Sequence, residues 1–261
     1  MSRSMPHVFP TVVHMLAHAV ATRPSQEAIV LGARRLSYGE FGARVTGFAH
    51  ALEARGLGPG DRIAVLMHNS IDMAVALFAV LSCGAQLVPL NPAYTASELH
   101  PILLDADCRA LIHDAALGPR LDDLLASLPP LQRFAVDTDD LVPASAGPST
   151  ARADIQLPSP DALGVLLYTG GTTGRAKGVD LVHRAIAVNT SQRDALLPTR
   201  DGQERILVVT PLFHSYAFAT WLTAIYARST LVLMGKYKPA ALLELIDTER
   251  ATILAGSPTI F

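Results

Sequence analysis

Cysteine is scarce in this 261-residue sequence: Cys83 and Cys108 are the only two. They lack metal-ligand spacing and suggest no disulfide framework, which fits a reducing compartment. Charge is scarce too. Asp, Glu, Lys and Arg make up 17% of the chain and the net charge is −2, so the basic footprint of a nucleic-acid binder is missing. His7, His14, His18, His50, His68, His100, His113 and His183 form no metal spacing. There is no Gly-x-Ser-x-Gly elbow, and Gly256-Ser257-Pro258 does not supply one.

Long apolar runs are missing as well. Phe9, Val12, Val13, Leu16, Ala17 and Val20 recur at helical spacing, but His14 and His18 interrupt them. This reads as an amphipathic helix, not a signal peptide. The run Met73 to Leu81 is short and is followed by Ser82, Gly84, Gln86 and Pro89. A buried helix leading into a buried strand is expected there, not a transmembrane segment. A cytoplasmic protein is expected.

Apolar residues, by contrast, make up half the chain, and mean hydropathy is positive. That suffices for a large core in one domain or two smaller ones. Strand signals at Ala28–Leu31 and Arg35–Leu36 flank a Gly32-Ala33 turn, which reads as a hairpin. Ser37 and Glu40 have capping-box spacing and open a helix with Phe41, Val45, Phe48 and Leu52 on one stripe, ending at Gly56. Strands follow at Arg62–Met67, Gln86–Leu90, Ala110–His113 and Arg133–Val136. Between them lie a helix capped by Asn69 or Ser70, one opened by Thr95-x-x-Glu98, and one over Leu117–Leu128. This alternation predicts an α/β fold, with layered sheets and flanking helices. Residues 137–161 turn rich in Ala, Ser, Pro and Thr, which predicts a surface connection. The expected division is a first α/β subdomain over 1–157 and an incomplete second one over 158–261.

The second part begins with the most informative stretch. A buried-type strand, Gly164 to Tyr168, runs into Thr169-Gly170-Gly171-Thr172-Thr173-Gly174, and then through Arg175 and Ala176 to Lys177. Glycines let backbone N–H groups converge on one concavity, and such concavities bind anions. Three threonine hydroxyls and the Lys177 ammonium add donors and charge, so the loop suits a polyphosphate. A plain Gly/Thr hairpin turn is the alternative. It is not a Walker A loop, because Ala176 and Gly178 flank the lysine. Nor does it contain Gly-x-Gly-x-x-Gly. Beyond it, Asp180–Val182 continues a strand, and helices are expected over His183–Leu197, Ser215–Ala227 and from Pro239. Strands are expected at Arg205–Val209, Thr230–Met234 and Thr252–Leu254, and a further helix start at Pro258. His214 ends the segment Thr210-Pro211-Leu212-Phe213 and opens a helix. That is where open sheets place ligands and where helix dipoles favour anions. A partly buried histidine capping a helix is the alternative.

The loop resembles the phosphate loop of the adenylate-forming enzymes (acyl-CoA synthetases, luciferases and peptide-synthetase adenylation domains), which read Tyr-Thr-Ser-Gly-Thr-Thr-Gly-x-Pro-Lys-Gly. Gly170 stands where that family has Ser, and Ala176 where it has Pro. Arg35-Leu36-Ser37-Tyr38, Gly60 to Val65, Gly84-Ala85 and Leu90-Asn91-Pro92 resemble acyl-CoA synthetase landmarks in the family's order. The resemblance implies ATP-dependent activation of a carboxylic acid to an acyl-adenylate, then transfer to CoA, with Mg2+ sharing the phosphate charge. Thr169, Gly170, Gly171, Thr172, Thr173, Gly174 and Lys177 would hold the phosphates. His214 would position the acyl carboxylate, with Tyr216, Ala217 and Thr220 lining the acyl pocket. Amino-acid-activating members resemble Phe-Asp-x-Ser where this chain has Phe213-His214, so a fatty or aryl acid is implied. An aromatic and small-residue stripe is, however, more often core than pocket.

The family's adenine segment, Tyr-Gly-x-Thr-Glu metal ligand, ribose-binding Asp and C-terminal lysine domain are not found before Phe261. The resemblance therefore implies an N-terminal part, weakly active or inactive alone, needing a second half or forming a homo-oligomer. The alternatives are a non-catalytic nucleotide- or acyl-binding module and an inert remnant.

Overall fold

The computed structural model describes residues 7–136, 155–169 and 176–260. Among these, eleven strands and eight α-helices alternate along the chain. The first helix, α1 (Val12–Thr22), begins where the Thr11 hydroxyl accepts the His14 N–H. Strands β1 (Glu27–Leu31) and β2 (Arg34–Ser37) form an antiparallel hairpin across Gly32, whose φ of 57° suits a glycine. Ser37 and Glu40 close the expected capping box on α2 (Tyr38–Glu53). After β3 (Arg62–Leu66), Ser70 caps α3 (Ile71–Ser82), its hydroxyl accepting the Met73 N–H at 2.9 Å. Every residue of α3 is buried, which is why this region is so apolar without being a membrane span. No helix among the described residues is long and apolar enough to cross a membrane.

Strand β4 (Gln86–Leu90), helix α4 (Ala96–Ala106), β5 (Ala110–Asp114), α5 (Gly118–Ala126) and β6 (Gln132–Val136) continue the alternation. Then come β7 (Leu163–Thr169), β8 (Lys177–Val182), α6 (His183–Leu196), β9 (Arg205–Val208), α7 (Ser215–Tyr226), β10 (Thr230–Leu233), α8 (Pro239–Thr248) and β11 (Ile253–Ala255). A short 3-10 turn, Pro258–Ile260, stands where a helix start was expected.

The strands form two sheets. One has the order β11-β9-β10-β1-β2 and the other β6-β5-β3-β4-β7-β8. All neighbours are parallel except the hairpins β1-β2 and β7-β8. Each sheet takes strands from both sides of residue 157: β1 and β2 join the late strands, while β7 and β8 join the early ones.

Strand alternation explains the layering. Ile63 and Val65 face a central core with Ile206, Val208, Leu231 and Leu233 from the other sheet. Helices α1, α2, α3 and α7 fill that space, and the edge-to-face pair Phe78–Trp221, centroids 4.8 Å apart, lies within it. Ala64 and Leu66, one residue out of phase, face α4 and α5 instead. Leu207 and Val232 face α8. Five layers result: helix, sheet, helices, sheet, helices. Burying both faces of the central strands of each sheet consumes much of the large apolar fraction of the chain.

Candidate active site

Parallel strands deliver their C-terminal ends to one rim of a sheet, and connections there are free to carry function. In the six-stranded sheet that rim holds Leu90 at the end of β4, Asn91 after it, and Tyr168-Thr169 at the end of β7. Strand β8 returns antiparallel, with Thr169 opposite Lys177. The ends of the Gly/Thr stretch are therefore held as a strand pair. Gly170, Gly171, Thr172, Thr173 and Gly174 themselves lie outside the described residues. Lys177 is exposed beside them.

The base of this hairpin is fixed from below. The Tyr168 hydroxyl donates to Asp105 Oδ2 at 2.7 Å. Burial, and then that bond, raise the phenol pKa. The ring lies over Gly178, where an added Cβ would sit 3.3 Å from it and 2.9 Å from the Leu166 side chain.

From the five-stranded sheet, β9 delivers Thr210 to Phe213, and His214 takes the N-cap position of α7 with extended φ of −78° and ψ of 137°. Its carbonyl accepts the Phe218 N–H at 2.9 Å, and its N–H donates to Pro211 O at 3.0 Å. The imidazole makes no cap hydrogen bond, so it is free for other partners. Its ring stands 4.5 Å from that of Phe213. One side of it is open to solvent, and the protein beneath lowers its pKa by desolvation. It is therefore mainly neutral at pH 7, with one ring N–H to donate.

Thr169 and His214 line the same cavity, of about 250 Å³, together with Asn91, Tyr94 and Tyr168. Leu167 and Ser215 belong both to this cavity and to a second, mostly apolar one of about 340 Å³. The second is walled by Val165 and Leu181 of the hairpin, Ile186, Asn189 and Thr190 of α6, and Phe218, Ala219 and Leu222 of α7. No Asp or Glu lines either cavity among the described residues.

Of the residues expected on α7, Tyr216 is exposed under the Arg193 guanidinium, 5.9 Å from its ring centre. Ala217 is in the central core, and Thr220 is buried with its hydroxyl bonded to Tyr216 O. None of the three lines the apolar cavity. Ser215, Phe218, Ala219 and Leu222 do, at spacing i, i+3, i+4, i+7. That stripe is legible in sequence. Which of the helix's stripes faces a cavity is not. Among the described residues no group of three His, Cys, Asp or Glu could hold a metal ion.

Comparison with known proteins gives a consistent picture. The family model described as AMP-binding enzyme matches residues 16–261. A long-chain-fatty-acid–CoA ligase of Bacillus subtilis (strain 168) is 29% identical, with 98% of this chain and 52% of that protein covered. A feruloyl-CoA synthase of Amycolatopsis sp. is 32% identical, with coverages of 91% and 47%. The inhibitor-bound N-terminal domain of FACL13 from Mycobacterium tuberculosis superimposes with a TM-score of 0.85 at 28% identity, over 96% of this chain and 63% of that one. The chain spans about half the length of the curated relatives it matches.

Proposed function

The chain belongs to the AMP-binding enzyme family, in the company of adenylate-forming acyl-CoA ligases, and on that premise we propose that it carries the acid-activating site of such a ligase. The observation that carries the reading is the pair of adjoining cavities. The polar one has the start of the Gly/Thr loop on one wall and a neutral, uncommitted His214 on the other. The apolar one adjoins it, sharing Leu167 and Ser215 as lining residues. A molecule with a polyphosphate, a carboxylate at the junction and an apolar tail matches that sequence of surfaces.

In the reaction, a carboxylate oxygen of the acid attacks the α-phosphorus of ATP. The bond to the bridging oxygen breaks, giving acyl-adenylate and pyrophosphate. Such chemistry asks for positioning and charge neutralisation more than for a protein nucleophile. Lys177 and the loop after Thr169 supply donors for the leaving pyrophosphate. The ring N–H of His214 and the positive end of the twelve-residue α7 hold the carboxylate and the developing adenylate. The apolar cavity excludes water from the tail. The acyl group then passes to a thiol, for which CoA is the proposed acceptor.

Absence of acidic lining residues among the described ones favours an acid without an α-ammonium group. Relatives acting on long-chain fatty acids, ferulate and 3-hydroxybenzoate support fatty or aryl acids as the class.

The test is equilibrium binding of ATP and of dodecanoate or ferulate to this chain, with ATP–pyrophosphate exchange followed in the same samples. Saturable ATP binding weakened about tenfold by Lys177→Ala, the loss of one charge-assisted contact, is the expected result. Absence of saturable ATP binding, or equal affinity in the variant, overturns the reading. Binding without exchange would mark a nucleotide- and acyl-binding module.

A further inference from the structure

We propose that Asn69 is a positioning residue for His214, holding the segment that carries it across the gap between the two sheets. Asn69 follows β3 in the six-stranded sheet. Its side-chain amide donates to Thr210 O at 3.2 Å and Met234 O at 3.1 Å, and its Oδ1 accepts the Leu212 N–H at 2.8 Å. Met234 directly follows β10 of the other sheet, and Thr210 lies two residues past the end of β9. One carboxamide thus bonds three backbone groups at the rim where both sheets end.

Sequence alone offers Asn69 a simpler task, capping α3. The structure gives that task to Ser70, which leaves the Asn69 side chain free to bridge. Its three partners are backbone groups in connecting segments, where sheet pairing does not supply every bond. Leu212 is fully buried, so its N–H has no water to turn to if Oδ1 is removed. Only Phe213 separates Leu212 from His214. The His214 N–H is itself bonded back to Pro211 O, inside the clamped segment. A shift of Thr210–Leu212 therefore passes directly to the imidazole and changes its place in the cavity. Asn69 is not among the cavity's lining residues. It acts through the segment it holds.

The role in catalysis rests on the acid-activating reading. The test needs neither nucleotide nor acid, so the two fail separately. In the full 261-residue chain, amide exchange at Leu212 is compared with that at Leu207 in β9. The His214 ring-nitrogen signals, assigned by their loss in His214→Gln, are titrated by NMR. In Asn69→Ala the Leu212 amide is expected to exchange about tenfold faster, the equivalent of one lost hydrogen bond, with Leu207 unchanged. The His214 titration is expected to move up towards an ordinary histidine as its desolvation is relieved. Equal acceleration at Leu212 and Leu207, or an unmoved titration, overturns the proposal. Should Asn69→Ala not fold, Asn69→Gln keeps a neutral amide but displaces it by one methylene, so the three bonds cannot all form and Leu212 exchange is expected to rise there too. Unchanged Leu212 exchange in the glutamine variant also overturns the proposal.

Discussion

Lowering the pH from 7.5 to 5.0 should strip stability from this fold, and His183 supplies a separable part of the loss. It opens α6 and is fully buried, and neither ring nitrogen has a hydrogen-bond partner among the described residues. The ring rests on Gly164 of β7, where even a Cβ would approach it to 3.3 Å. Burial, helped by His14, depresses its pKa from 6.5 to about 4. The unfolded chain then binds the proton more readily than the folded one, so stability falls as pH drops through 6.5 and goes on falling towards 4. At pH 5.0 the unfolded imidazole is about 97% protonated and the folded one about 10%, which amounts to a loss of about 2 kcal/mol relative to pH 7.5. Carboxylates with depressed values, such as Glu204 at about 2 beside Arg200, keep their contribution at pH 5.0 and lose it only lower. His14, His18, His113 and His214 are also lowered and act in the same direction as His183, so the wild-type loss alone does not isolate it. Subtracting a variant does. His183→Phe has no titratable ring and abandons no hydrogen bond. Its urea-unfolding free energy is expected to fall by about 2 kcal/mol less than wild type between the two pH values. An identical fall in both proteins would refute the reasoning.

Other perturbations read other parts of the structure. Ala219→Trp should fill the apolar cavity, abolishing dodecanoate binding in calorimetry while ATP binding and the circular dichroism spectrum stay unchanged. Gly178→Val forces a branched side chain into the space of Leu166 and Tyr168. An overpacking cost of about 1–3 kcal/mol is expected in urea unfolding, with the Tyr168 phenol ionising at lower pH in ultraviolet titration as the ring leaves its seat. Glu249 accepts from Arg35 at 2.6 Å and also pairs with Arg205, which reaches Glu27. Arg35 first, and then Arg205, lower its pKa against the opposing effect of burial, so its contribution is present above about pH 4.5 and drains away in acid. Glu249→Gln should cost about 1–3 kcal/mol at pH 7, with the deficit shrinking towards pH 3 in unfolding experiments.

Much of this protein is written in short-range pattern. The Ser37/Glu40 and Thr95/Glu98 boxes are contacts within one turn, so residue order suffices to predict them. The strand Gly164–Tyr168, the glycines after it and the helix opened at His214 are likewise readable from neighbours, and so is the resemblance they carry. An α/β chain with anion-binding loop and carboxylate-positioning histidine is the expectation that follows. Sequence does not say that the β1-β2 hairpin crosses to the strands beyond residue 200, or that the β7-β8 hairpin completes the early sheet. Those choices are made by pairing between distant segments, whose edges look alike until the helices between them are packed. The same holds on α7. Each of its stripes is apolar enough for a core, and only packing of α6 and the β7-β8 hairpin leaves the Ser215, Phe218, Ala219 and Leu222 face open. Asn69 shows the division within one side chain. Local order makes it a capping candidate, and only the meeting of two sheets turns its amide towards Thr210, Leu212 and Met234. Periodicity and caps are properties of a few consecutive residues. Strand order, open faces and bridges between sheets belong to the folded whole, because burial is settled only when every apolar face has found its cover.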